Sequence, residues 1–398
     1  MLVVVTTTRE YVRDWIASAW SYDVTVREWW RRLAEARLSQ PQWPAPYGQG
    51  WSTTDARAVV EELAAAGTIA PPEGGVAVGL AGPTLLTHGT QHQQARFLPA
   101  LLRGEESWCQ LFSEPGAGSD LPSLRTKAVE TADGWSVTGQ KIWSSNAHVA
   151  RRGLLLARTD AASAGRRGIS YFVIDMVQPG IEVRPIRQMD GLCRFCEVFI
   201  DDARVPDCDR VGDLGDGWTV ARTTLAHERA NTSRRPARGL TLVPSGELAG
   251  QLDRPTGEVL ADQDLDSASF TGRAIPARRL VELAQELGID LDPVTRDQIV
   301  RYLVTTEVHR TNQRRTPKPH PSITKLLVSK ICHMSREVSY SILGTAAMLD
   351  DADAPYRGEL HRVGLGSFGV SIGGGTDEIQ RNHLAERVLG LPRDLSVP

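Results

Sequence analysis

Two rhythms of apolar and polar residues divide the chain. From about residue 8 to 105, apolar positions recur at three- and four-residue steps, as in TTTREYVRDWIASAW and TVREWWRRLAEARL. That is the spacing of helices that bury one face. WSTTDARAVVEELAAAG sets Ser, Thr and Asp ahead of its apolar run, where side-chain oxygens cap the free amides of a first turn. Past residue 108 the step shortens. TKAVETADGWSVTGQKIW carries two short alternating runs around Asp133-Gly134, a hairpin signal. GLLLARTD, GISYFVIDM, GIEVRPI and CEVFIDDARVP follow as further strands. From LGDGWTVARTTLAHERAN onward the helical step returns, in ARRLVELAQELG, TRDQIVRYLVTTEVHRTNQRR and SITKLLVSKICHMSREVSYSILG.

These patterns predict a mainly α protein with a central β domain. An N-terminal helical domain spans 1–108, a middle β-barrel or sandwich domain 109–212, and a C-terminal helical bundle 213–398. Residues 233–276 are rich in Gly, Pro, Asp and Ser without a sustained apolar period, and are expected to form a long loop or insertion.

Composition narrows the function classes. With 41% apolar and 23% charged residues and a net charge of −3, the chain has ordinary globular balance and no general attraction to nucleic acid. Arginines do interleave with Trp29 and Trp30, but Glu28 and Glu35 interrupt them, and an amphipathic core helix is the expected reading. The five cysteines are odd in number and scattered, which points to a reducing, cytoplasmic setting. Cys193 and Cys196 have the spacing of half a zinc site, but no second pair with ligand spacing follows. The opening MLVVV is too short for a signal core, and no later apolar run approaches membrane-spanning length.

Chemistry concentrates at the seams between domains. CQLFSEPGAGSD, residues 109–120, combines hydroxyls with exposed backbone and little side-chain bulk, as a planar ligand lying against backbone requires. In GQKIWSSNAHVA, residues 139–150, Trp143 offers a flat face and Ser145 a hydroxyl two residues on, the same side of an uninterrupted strand. A core tryptophan at a strand end is the competing reading. Near the end stands SIGGGTDEIQRNHLAERVLG, in which three consecutive glycines run into a helical stretch.

Together, in this order, the three motifs resemble the acyl-CoA dehydrogenase family of flavoenzymes. The resemblance implies FAD, with Gln110, Phe112 and Ser113 contacting the flavin, Trp143 packing on its ring and Ser145 bonding near its reactive nitrogen. It places Ser119 at the pantetheine or thioester end of an acyl-CoA or acyl-carrier-protein substrate. Gly375, Thr376 and Glu378 would meet the cofactor. An electron-transfer flavoprotein or similar acceptor, and a homo-dimer, homo-tetramer or hetero-tetramer with a homologous subunit, are also implied.

Oxidising an acyl thioester at its α,β bond needs a carboxylate within reach of the α-carbon and dry enough to act as a base. Many relatives carry it just before the Gly-Thr of the last motif, where this chain has Gly374, which leaves room there for a bulkier substrate. A minority carry it on the helix after the β domain, within a Glu-Arg pair. TLAHERAN matches that pattern with Glu228 and Arg229. Glu228 continues the apolar stripe of Trp218, Ala221 and Leu225; Arg229 would meet the substrate, and His227 is a rival base one residue off that face.

The family's Arg-x-x-Phe-Gly sequence, which reaches the flavin diphosphate of a neighbouring subunit, is absent. Arg273, Arg278 or Arg279 could serve instead. Alternatively the chain supplies half of each flavin site to a homologous partner, or uses the fold as a flavin oxidase or monooxygenase.

Overall fold

The computed structural model describes residues 7–392 apart from 73–74, 164, 232–250, 266–273, 316, 318 and 352–353. These form two compact units: 7–186 with 194–228 and 251–265, and 187–193 with 229–231 and 274–392.

The first unit opens with helices α1 (Thr8–Ala19), α2 (Val26–Glu35), α3 (Thr53–Ala65), α4 (Gly82–His88) and α5 (Gln91–Leu102). Their starts are local chemistry. Thr7, Thr25, Ser52 and Thr90 each accept a backbone amide from the first turn of the helix that follows. On α2, Val26, Trp29, Trp30 and Leu33 are buried, and the two indole N–H groups donate to the carbonyls of Ile69 and Ala70 at 2.7 and 2.8 Å. Arg31 and Arg32 turn outward to Glu28. The Trp-Arg alternation is therefore a core face beside a salt-bridged one.

The strands are β1 (Trp108–Leu111), β2 (Lys127–Thr131), β3 (Gly134–Ser145), β4 (Arg152–Arg158), β5 (Ile169–Asp175), β6 (Ile181–Ile186), β7 (Phe195–Val205) and β8 (Arg210–Val211). They make one mixed sheet in the order β6-β7-β3-β2-β4-β5-β8, with β1 parallel to β4. The hairpin turn is Ala132-Asp133, with Gly134 already paired to Thr131 as the first residue of β3. Leu155, Phe172 and Ile174 share a core with Trp135, Val137 and Val198. Trp135 and Phe172 meet at 5.7 Å although β3 and β5 are not neighbours in the sheet, so the sheet folds over itself as a sandwich. Its other face, through Leu154, Leu156, Tyr171 and Val173, packs on α4, α5 and α6 (Gly217–Asn231).

Of the stretch 233–276, residues 232–250 and 266–273 lie outside the described residues. The rest corrects the expectation of a loop. A turn at Gln251–Asp253 leads into α7 (Thr256–Leu265). Val259 buries against the N-terminal helices, and the amide of Thr256 donates to the carbonyl of Val24 at 2.8 Å. Two adjacent apolar residues, Val259 and Leu260, suffice to dock so short a helix, too few to register as a period.

The second unit holds α8 (Ala277–Glu286), α9 (Pro293–Arg314), α10 (Pro321–Leu343) and α11 (Glu359–Val370) around Leu280, Tyr302, Val338, Ile342 and Leu360, with α12 (Asp377–His383) against α10. Among the described residues, no helix is long and apolar enough to cross a membrane.

Candidate active site

In the first unit, α6 begins where Gly217 lies against β5; a Cβ there would sit 2.5 Å from the carbonyl carbon of Ser170. Val220, Ala221 and Thr224 form the buried stripe. A buried hydroxyl cluster fixes the helix's rotation: Thr224 Oγ1 lies 2.9 Å from Thr84 Oγ1 and 3.1 Å from the Tyr171 hydroxyl. One turn on, Glu228 continues this face, and the Gln110 side-chain amide lies 3.5 Å from Glu228 Oε2. His227 is partly buried, and burial holds its imidazole below its ordinary pKa.

The first two motifs are joined by a buried ion pair. Lys141 Nζ, fully buried, donates to Glu114 Oε1 at 2.9 Å and to the Phe112 carbonyl at 3.1 Å. Glu114 also accepts the amides of Arg125 and Thr126 at 2.6 and 2.9 Å. Burial alone would push the Glu114 carboxyl up, but Lys141 and these hydrogen bonds outweigh it and hold the group below its ordinary value. Sequence reasoning passed over both charged residues. The signal available was a Lys and a Glu inside otherwise apolar or small-residue motifs, where a buried charge needs a partner.

The Phe112 ring packs edge-on to Tyr171 in the core, so only its backbone could face a ligand. The Ser113 carbonyl accepts the amide of Ile142 at 2.9 Å, which ties the first motif to β3. Ser119 is exposed, and Gly116 and Gly118 face open space.

Trp143 is neither the core tryptophan of the competing reading nor on a plain strand face shared with Ser145. Lys141 pairs with Val198 but Ser144 with Cys196, so β3 carries one extra residue in a bulge. Trp143 sits in that bulge at φ +62° and is 56% exposed, not a core residue. The simple alternation that put Trp143 and Ser145 on one side of the strand is interrupted there. Ser145 is partly buried opposite Phe195, and the fully buried Ser144 hydroxyl has no hydrogen-bond partner among the described residues.

In the second unit, Gly374 and Gly375 have φ of +69° and +84°, which only glycine adopts cheaply. A Cβ on Gly375 would lie 2.6 Å from Gln380 Nε2, the atom that donates to the Gly374 carbonyl at 3.1 Å. A Cβ on Gly373 would meet the Gly369 carbonyl oxygen at 3.5 Å, an ordinary van der Waals contact. The ends of the loop are stitched by a network the sequence did not disclose: Lys325 donates to Asp377 Oδ1 at 2.5 Å and to the Ser371 carbonyl at 3.2 Å. Ser329 adds a bond to Asp377, and Ser322 holds Gln380. Thr376 caps α12 by accepting the Ile379 amide, and exposed Glu378 pairs with Arg381 at 3.0 Å. Arg229 is partly buried in this unit. Arg278 and Arg279 pair with Glu282 and Glu286, and Arg273 lies outside the described residues.

Comparison with known proteins finds matches along most of the chain. The family models for the acyl-CoA dehydrogenase N-terminal, middle and C-terminal domains match residues 3–105, 109–203 and 293–389. Acyl-CoA dehydrogenase FadE34 of Mycobacterium tuberculosis is 41% identical over 91% of this chain, which spans only 46% of that protein's length. Acyl-CoA dehydrogenase IpdE1 of the same organism is 36% identical, with 92% of this chain and 88% of that one covered. Among solved structures, the Tcur3481-Tcur3483 steroid ACAD aligns with a TM-score of 0.69 at 25% identity over 97% of both chains. The ChsE4-ChsE5 complex from Mycobacterium tuberculosis aligns at 0.67 and 25% identity, covering 99% of this chain and 100% of that one. With three domain models in order and a relative matched along most of both lengths, the chain belongs to the acyl-CoA dehydrogenase family of flavoprotein oxidoreductases.

Proposed function

We propose that the protein is an FAD-dependent dehydrogenase that oxidises an acyl thioester, carried on coenzyme A or a carrier protein, to the 2,3-enoyl thioester. The observation that carries this reading is Glu228: a carboxylate on the core-facing stripe of α6, met by the Gln110 amide at 3.5 Å. Glu228 removes the α-proton. Flavin, when bound, supplies the acceptor for the β-hydride. Residues of each unit, taken by itself, fit such a group: in the first, Trp143 offers an exposed ring face, Ser145 follows it on the chain, and Ser113 is tied to the same strand through Ile142; in the second, Gly373, Gly374 and Gly375 offer backbone with no side-chain bulk. Ser119 and Arg229 are assigned to the thioester and pantetheine portion.

Gly374 carries no side chain where relatives place a carboxylate, which suits a bulky acyl group; one structural neighbour is named a steroid ACAD. The test is anaerobic titration with a panel of straight-chain and steroid acyl-CoAs. Wild type should bleach its flavin and Glu228→Gln should not; equal reduction rates remove Glu228 from the mechanism.

A second reading is favoured by the absent Arg-x-x-Phe-Gly sequence and by two neighbours whose names are pairs of subunits. In it the chain completes a flavin pocket with a homologous partner. Purified alone, it would then lack stoichiometric FAD, and a fully yellow homo-oligomer excludes it. Oxygen uptake during turnover would instead mark an oxidase or monooxygenase and exclude transfer to a carrier such as electron-transfer flavoprotein.

A further inference from the structure

Gln110 is a polar residue on an apolar face. In β1, Cys109 and Leu111 point into the interior of the sandwich, while Trp108 and Phe112 point to the opposite core, the one shared with Val220 and Ala221 of α6. Strand alternation puts Gln110 on that second face, between Trp108 and Phe112. Its register is set by the parallel pairing of β1 with β4, where Gln110 stands opposite fully buried Leu154. Gln110 is partly buried there, and the water its amide gives up calls for a hydrogen-bond partner. The bond recorded for its Nε2 is to Glu228 Oε2 at 3.5 Å, at the long end of the hydrogen-bond range. Catalytic hydrogen bonds are often long before substrate arrives and shorten afterwards.

We infer that Gln110 is the positioning residue for Glu228: its side-chain N–H group donates to the carboxylate, aims it and favours its ionised form. This rests on the reading of Glu228 as the base, and it moves Gln110 from the flavin contact implied by resemblance to the proton-abstracting group. Two anchors make the placement rigid. Thr224, one turn before Glu228, is held by Thr84 and Tyr171, and β1 is held by β4. The carboxylate and amide thus come from two elements whose relative position is set by the core, as a group needing placement within a fraction of an ångström requires.

The test uses two variants, Gln110→Met, which keeps length without a donor, and Gln110→Glu, which sets a second carboxylate beside the first. The first measurement needs no substrate: 13C NMR of glutamate carboxyls in the flavin-loaded protein, with the Glu228 signal assigned by its loss in Glu228→Gln. Loss of a donor to the charged form should move the Glu228 midpoint to higher pH in Gln110→Met, and further in Gln110→Glu. The other titratable or charged groups on the elements packed here, Arg222, His227 and Arg229 on α6, His88 on α4, His92 and Arg96 on α5, Arg152 and Arg158 on β4, and Tyr171 and Asp175 on β5, are untouched by either substitution. The second measurement is stopped-flow flavin reduction by octanoyl-CoA and cholyl-CoA. Gln110→Met should reduce about tenfold to a hundredfold more slowly at saturation with little change in substrate Kd, and with visible spectrum and flavin content as in wild type. An unchanged midpoint overturns the proposal, as does a moved midpoint with an unchanged rate where wild type reacts. Loss of flavin or an altered spectrum in Gln110→Met, with the midpoint unmoved, returns Gln110 to the flavin. Failure of Glu228 itself as base is seen separately, as wild-type reduction by Glu228→Gln.

Discussion

The end of α6 and the loop before α12 are the two places where the resemblance allows a catalytic carboxylate, and here they are built on opposite principles. On α6 a side chain is presented by packed neighbours: Val220, Ala221 and Thr224 fix the helix face, and Gln110 meets the carboxylate. In the loop the backbone itself is the structure, with left-handed Gly374 and Gly375 pinned by Gln380, Lys325 and Asp377. The first arrangement tolerates changes that keep side-chain chemistry. In the second, a Cβ added at a left-handed position strains the backbone itself. A base moved between them would keep its chemistry and lose its support.

Removing the α6 carboxylate should have the largest effect. Glu228→Gln is expected to slow flavin reduction by about 10²- to 10⁴-fold, and Gly374→Glu added to it should restore nothing, because φ of +69° misplaces any side chain. Recovery in the double variant, read by stopped-flow bleaching, would erase the contrast between the two sites.

Next in size is the buried ion pair that joins the first two motifs. Lys141→Met leaves Glu114 buried without its cation and should cost about 3–5 kcal/mol in urea unfolding, with weaker flavin retention as the two motifs separate. The same pair gives an acid limb. Because the folded Glu114 carboxyl is held below its ordinary value of 4.5, its stabilisation is present above that pH and is lost as pH falls toward the lower folded value. Urea midpoints between pH 7 and pH 3 should fall less steeply for Glu114→Gln than for wild type.

Thr224→Val, which strips the hydroxyl that rotates α6 into place, should cost about 2 kcal/mol by leaving Tyr171 and Thr84 short of a partner. The smallest effects separate neighbouring glycines. Gly374→Ala should lose about 1 kcal/mol through its left-handed backbone, whereas Gly373→Ala, whose Cβ would make only an ordinary van der Waals contact, should stay within about 0.5 kcal/mol. Equal losses at the two would mean that the loop is limited by space and not by backbone conformation.

Legibility in the sequence followed the range of the interaction. The helix start at Ser52, the hairpin before Gly134 and the apolar runs of β4 and β5 are patterns among near neighbours, legible in the sequence. The short helix α7 escaped because its two docking residues make no period. The bulge at Trp143 escaped because an extra residue is defined only against β7, and nothing in GQKIWSSN counts the partner strand. Lys141-Glu114 and Lys325-Asp377 are separated by 27 and 52 residues, so each charge was visible while its partner was not.

By itself the sequence determined the order of helical and β regions, the three motifs and a carboxylate on the inward stripe of the helix after the β domain, because periodicity and motif spacing are properties of one stretch of chain. Only the tertiary structure decided which side chains meet. Gln110 stands by Glu228, Thr224 is locked to Thr84 and Tyr171, and Gly374 is held left-handed by Gln380. Those are pairings across strands, helices and loops, set by register and packing, and no local pattern carries the distance between them.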